Sequence, residues 1–341
     1  MSDEYLWDGS GEPDAELERL EQLLGRFRQS ATGTVAAADF EFPAAATSPL
    51  RTGSRWVGWW RAAAVFVLLL GGILLMRAVT GHAEWTIAGL EGSPQIDGRA
   101  AERNRTWKIG QWLETDAASR VKLRVDGLGE IEVGPNARLE LLHASATQQQ
   151  IRLVRGTIRA AVTAPPYVFL VRTPGAYAMD MGCAYTLQVS DAGVSILRVT
   201  VGWVDLQHGF RQSLVPAGAA AESRPGIGPG APYFEDSSER FREALEIVNF
   251  DVEDSQAQSD ALTNLLAEAR PRDAFTLMNL FRRVDAEDRG RLYDRLAVLL
   301  PPPAGITRQS AVDGDDMSAW WDKLGLGHAK KGLKGPPRIE E

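Results

Sequence analysis

The sequence predicts a mainly β protein, an antiparallel sandwich or β-helical roll, with one transmembrane helix ahead of it and a small α-helical subdomain behind it. Three observations carry that expectation. Apolar residues alternate at period two from about Trp85 to Leu206, the pattern of strands with one buried face. Before them, Ala62 to Met76 contains no polar residue on any helical face, which excludes an ordinary amphipathic helix. After Phe241 the apolar spacing returns to three and four, the helical period.

The first thirty residues hold "LWDGSGEPDAELERLEQLLGRFRQ". Pro13 and the acids Glu12, Asp14 and Glu16 suit the positive start of a helix. Leu17, Leu20, Leu24 and Phe27 then form one apolar stripe. A helix of about four turns is marginal alone in water, so the stripe needs something to bury against. The helix is acidic, which argues against an anionic membrane surface and for a protein partner or a second copy. Residues 31–55 turn to Ala, Thr, Pro and Gly and read as a flexible linker.

The segment 56–79, "WVGWWRAAAVFVLLLGGILLMRAV", is the expected span. Its uninterrupted run of roughly 15 residues is short for a bilayer core. Trp56, Val57, Trp59 and Trp60 extend it at one end and Val79 at the other, while Arg61 and Arg77 can snorkel, so the stretch from Ala62 through Leu70 to Met76 grows to about 20 residues. A cleaved export signal would sit at the N-terminus and end in small residues; neither holds here. Arg51, Arg55 and Arg61 precede the span and only Arg77 closely follows it. The N-terminus is therefore expected in the cytoplasm and the remainder outside, the periplasm of a bacterium with two membranes.

Residues 84–222 are the expected β domain. Val121, Leu123 and Val125 alternate, then Ile131 and Val133, Leu139 and Leu141, Ile151 and Leu153, Ile158 and Val162, Phe169 and Val171, Tyr185 to Val189, and Leu197 to Val201. Turn signals separate them at Gly127, Gly134, Gly156, Pro165, Gly175 and Gly193. Residues 223–236, rich in Pro and Gly, read as a linker or surface loop. Helices are expected across 237–325, with Pro271 at a helix start, "PPP" from Pro301 as a stop, and "AWWDKLGL" as a last apolar anchor. The tail 326–341 is expected to be disordered.

Several pieces in order give a resemblance: "GQWLETDAASRVKLRVDGLGEIEVGPNARLELL", "IRLVRGTIRAAV", "FLVRTP", "MGCAYTLQV" and "LRVTVGWVDL". Together they resemble the FecR family of periplasmic domains. The family's pattern falls on Gly110, Thr115, Asp126, Gly127, Pro135, Leu139, Leu153, Gly156, Val171, Thr173, Pro174, Gly182, Tyr185, Val189, Val199, Gly202 and Val204. Cys183 stands where Thr is usual and Tyr185 where Phe is, the mark of a divergent branch. The resemblance implies a single-pass inner-membrane signalling protein, an anti-sigma factor type of regulator. Its external domain would sense a periplasmic or outer-membrane protein, and its cytoplasmic segment would control a sigma factor. A non-signalling envelope module that binds a ligand or protein is the alternative left open.

No constellation for catalysis is legible, and no cofactor or metal is expected. His82, His143, His208 and His328 lack metal-ligand spacing, and an enzyme is not the expected reading. Cys183, the single cysteine, is expected as a small core residue and Asp180 as a solvated acid. Trp107, Trp112 and Trp203 could close the core or stack on sugars. The net charge of -8 argues against a nucleic-acid partner.

Overall fold

The computed structural model describes residues 84–251, 255–313 and 318–324. The stripe Leu17, Leu20, Leu24 and Phe27, the span 56–79, the linker 31–55 and the tail 326–341 lie outside the described residues. Among the described residues no helix is long and apolar enough to cross a membrane.

The β region runs from Trp85 to Phe234 as two antiparallel sheets sharing one strand. Its strands are β1 (Trp85–Glu91), β2 (Gln95–Ile96), β3 (Arg99–Ala100), β4 (Thr106–Trp107), β5 (Trp112–Glu114), β6 (Arg120–Val125), β7 (Gly129–Val133), β8 (Arg138–Ala144) and β9 (Gln149–Val162). There follow β10 (Phe169–Arg172), β11 (Tyr177–Asp180), β12 (Ala184–Val189), β13 (Ser195–Val201), β14 (Trp203–His208), β15 (Arg211–Pro216), β16 (Ala219–Arg224), β17 (Gly228–Pro229) and β18 (Tyr233–Phe234).

The first sheet runs β1, β6, β7, the second half of β9, β12, β13, β16. The second runs β2, β5, β8, the first half of β9, β10, β11, β14, β15. Only β9 and β10 pair in parallel among these. The architecture is therefore the sandwich alternative rather than a helical roll, whose coils would stack strands in parallel. Gly156 marks where β9 leaves one layer for the other. Its φ is +93° and a Cβ there would lie 2.4 Å from Ala137 Cα, so the crossing admits only glycine.

The alternation seen in the sequence is the core. Leu123, Ile131, Leu139, Leu153, Ile158, Val171 and Leu187 are buried in one apolar cluster drawn from both sheets. Each such side chain contributes roughly 1.5–3 kcal/mol of transfer free energy. Trp85 packs edge-on against Trp107 at 5.6 Å and beside Phe169 at 6.1 Å, and its Nε1 donates to Gln149 Oε1 at 2.7 Å. Val201 departs from the expected alternation and is exposed at 61 %. A bulge explains it: Tyr185 pairs with Val199 but Ala184 with Val201, and the extra residue turns Val201 outward.

The segment 223–236 is not the linker its composition suggested. It contains β17 and β18, and residues 228–232 are buried. Its glycines serve close packing: a Cβ on Gly228 would meet His208 Cβ at 2.9 Å, and one on Gly230 would meet Asn249 Nδ2 at 2.8 Å.

Helices follow as α1 (Glu239–Phe250), α2 (Ser255–Glu268), α3 (Ala274–Leu280), α4 (Ala286–Leu299), α5 (Arg308–Asp313) and α6 (Ser318–Lys323). Ser238 caps α1 by accepting from Phe241 N at 3.1 Å, and Asp285 caps α4 by accepting from Asp288 N at 2.9 Å. Pro271 begins a single 3-10 turn leading into α3. Pro301 follows α4 as expected, yet α5 and α6 come after it. Trp320 of α6 is fully buried, edge-on to Tyr293, and donates to Leu300 O at 3.0 Å.

These helices dock on the β region. Phe275 of α3 joins the β core, 6.0 Å from the Phe234 ring and 5.8 Å from that of Trp321. Arg283 donates to Pro229 O at 2.6 Å, Gln212 O at 3.0 Å and Ser213 Oγ at 2.7 Å. Asn249 Oδ1 accepts from Ala231 N at 2.8 Å.

Candidate functional site

The residues singled out by the family pattern build turns and core. Gly127, Gly156, Gly182 and Gly202 all have positive φ. Thr115 Oγ1 donates to Gly134 O at 2.8 Å and accepts from Ala137 N at 2.8 Å, tying β5 to the β7–β8 turn. Thr173 Oγ1 closes the β10–β11 turn by accepting from Ala176 N at 3.0 Å. Val171, Tyr185, Val189, Val199 and Val204 are buried. The pattern thus encodes the scaffold.

Inside the scaffold sit two buried carboxylates. Asp180, expected as a solvated acid, is instead 1 % exposed. It closes β11, so its side chain points into the sandwich beside Ala178 and the facing Val204. Its Oδ1 accepts from Gly182 N at 2.7 Å, and its Oδ2 accepts from the Cys183 thiol. Burial pushes its pKa up to about 6, against the pull of those hydrogen bonds. Burial and then the Asp180 charge push the Cys183 thiol well up, which leaves it a poor nucleophile. The fully buried Tyr185 phenol is pushed up by the same two causes, burial first.

Asp205 lies on the other face of β14. Its Oδ2 accepts from Gln207 Nε2 at 2.7 Å and Gln212 Nε2 at 2.8 Å, while Oδ1 has no partner. Burial raises its pKa to about 6. Burial and then the Asp205 charge raise that of the Tyr167 phenol to about 12.

The outer face of the first sheet carries a cleft of about 450 Å³. Strand β7 is short; where it ends, Gly134 and Pro135 turn away and leave a notch between β6 and β9. Across the sheet, Lys122 faces Glu132 and Glu132 faces Arg159. Arg120 lies two residues from Lys122, opposite Glu91. Arg103 comes from a turn pinned to β1 by Asn104 N donating to Ile87 O at 2.8 Å. A bulge between Ile87 and Gly89 sets Gly89 opposite Lys122, so no side chain fills that corner.

Trp107 is buried in the core and Trp203 packs against it; Trp112 is half-buried beneath the Arg138 guanidinium at 4.4 Å. None offers an open platform for a sugar ring. His143 is exposed and His208 partly buried. Among the described residues no group of three or more His, Cys, Asp or Glu is placed to hold a metal ion.

Residues 111–204 match the family described as FecR protein. The chain therefore carries a FecR domain, spanning the two-sheet region from β5 into β14. No curated protein matches the chain. Two crystal structures of a candidate anti-sigma factor from Parabacteroides distasonis, at 1.65 and 2.50 Å resolution, align at 10% identity and a TM-score of 0.31. The alignments cover 40% of this chain and 64% and 63% of those chains. A similarity that low carries no argument about this protein.

Proposed function

We propose that this protein is a single-pass membrane regulator whose FecR domain senses a partner outside the cytoplasmic membrane and whose N-terminal helix controls a sigma factor inside. The observation that carries this reading is the FecR domain at residues 111–204, behind a segment, 56–79, with the apolar length and flanking arginines of a span. Leu17, Leu20, Leu24 and Phe27 supply the inner contact, an apolar stripe that binding would bury. The protein performs no catalysis in this reading. A rigid span transmits little as a monomer, so signalling works through a change of association or through cleavage.

Two measurements test it. A reporter fused at the C-terminus should be active only outside the cytoplasm; activity confined to the cytosol overturns the topology. Full-length chain solubilised in detergent should retain a sigma factor, and Leu20→Asp with Leu24→Asp should release it. Retention that ignores those substitutions, or recovery of no transcription component, overturns the regulatory role.

A further inference from the structure

The notch on the outer face of the first sheet gathers positive charge on a protein whose net charge is -8. Arg103, Arg120, Lys122 and Arg159 line it against two acids, Glu91 and Glu132. The pairing inside it is incomplete. Arg120 reaches Glu91 only at 3.9 Å, with both side chains more than half exposed, and such a contact contributes little. Lys122 Nζ turns to Glu130 at 2.6 Å. Arg103 and Arg159 make no ion pair among the described residues. Two guanidiniums, each a planar fork suited to an oxyanion, thus line a concave space without an ion-pair partner.

The arrangement also fixes a span. From β1 to β9 the order is β1, β6, β7, β9, three strand spacings, or about 14 Å. Arg103 stands at the β1 side, Arg159 at the β9 side, and Arg120 and Lys122 between them on β6. Each end thus has its own unpaired guanidinium, and a ligand with two oxyanions on a small spacer can engage both at once. The volume of about 450 Å³ falls within the range of small-molecule pockets. Gly89 and Gly134 keep the floor clear. A Cβ on Gly134 would crowd Thr157 O at 3.2 Å, and one on Gly89 would crowd Lys122 Cβ at 3.2 Å.

We propose that this cleft binds a ligand bearing two phosphate-type groups on a short spacer, one group held by Arg103 and Arg120 and the other by Arg159. Both a soluble sugar bisphosphate and a membrane headgroup present this chemistry. The claim goes beyond the regulatory reading and stands or falls separately, since binding is measured without any sigma factor.

The test titrates full-length chain in detergent with fructose 1,6-bisphosphate, and in parallel with detergent-dispersed cardiolipin, whose headgroup carries two phosphates on one glycerol. Saturable binding to either supports the site, and the arm that binds identifies the source. Inorganic phosphate should bind at least about tenfold more weakly than the bisphosphate. Arg159→Gln and Arg103→Gln should each weaken binding about tenfold or more, the scale of a lost charge-assisted hydrogen bond. Arg124→Gln, on β6 outside the cleft, should change it less than about twofold. Glu132→Gln removes a negative charge from the row and should tighten binding, a gain that misfolding cannot imitate. No saturation in either arm, equal affinity for inorganic phosphate, or equal losses for Arg124→Gln and Arg159→Gln would overturn the proposal.

Discussion

Asp205 and Asp180 are acids placed where charge is costly, and this gives the fold a signed pH dependence. An aspartate whose pKa rises from 3.8 to about 6 on folding binds its proton more tightly when folded. The stability it contributes is present below the unfolded value and disappears as pH climbs through about 6. That rise in pKa corresponds to about 3 kcal/mol at most for each group. Asp205→Asn keeps the shape and can still accept from Gln207 or Gln212. It should match the parent below about pH 4 and become progressively more stable than it between pH 4 and 6, as read by urea midpoints across that range. A variant that tracks the parent at every pH would show Asp205 to be solvated. At Gly156 the constraint is steric. Gly156→Ala forces a Cβ into Ala137 at positive φ, and should cost about 3 kcal/mol or more in chemical denaturation, at or above the upper end of the usual range for one substitution.

Among the elements, alternation declares a strand wherever one of its faces is buried, whereas composition is silent where burial comes from far along the chain. Val121, Leu123 and Val125 declare their face by alternation, and the structure buries all three. Proline and glycine in 223–236 report backbone freedom but not neighbours, so the packing of Gly230 against Asn249 could not be read from composition. Asp180 reads as a solvated acid in the sequence because part of what covers it, Val204 of β14, lies more than twenty residues on. The cleft was illegible for the same reason, since it assembles five separated stretches. Arg283 is a further case. Burial, and then Arg211, pull its pKa down to about 10, so it stays charged at neutral pH while its donors cover carbonyls beside the edge of β15. Exposed edges invite pairing with other chains. Arg283→Met should leave those acceptors unsatisfied, at about 1–3 kcal/mol for a buried group, and hydrogen exchange should rise first at Gln212 to Leu214.

For the whole molecule, the helical region is part of the β domain's surface. Phe234 and Phe275 meet across the boundary, and the Arg272 guanidinium lies 3.9 Å over the Phe234 ring. Arg270 and Asp273 knit the same seam, with Arg270 Nη2 donating to Asp236 Oδ1 at 3.0 Å. A chain ending at residue 236 should therefore expose an apolar patch and self-associate, visible as earlier elution in size exclusion and raised dye binding. Unchanged monodispersity and melting temperature would show that the FecR domain needs no helical cover.

Because β9 is woven into both layers, the sandwich has no seam along which it can be divided. New chain ends opened at the Asp126–Gly127 turn would leave every layer intact, so a circular permutant or an inserted domain should be accepted there. The same cut at Arg155–Gly156 would sever the thread that holds one layer against the other.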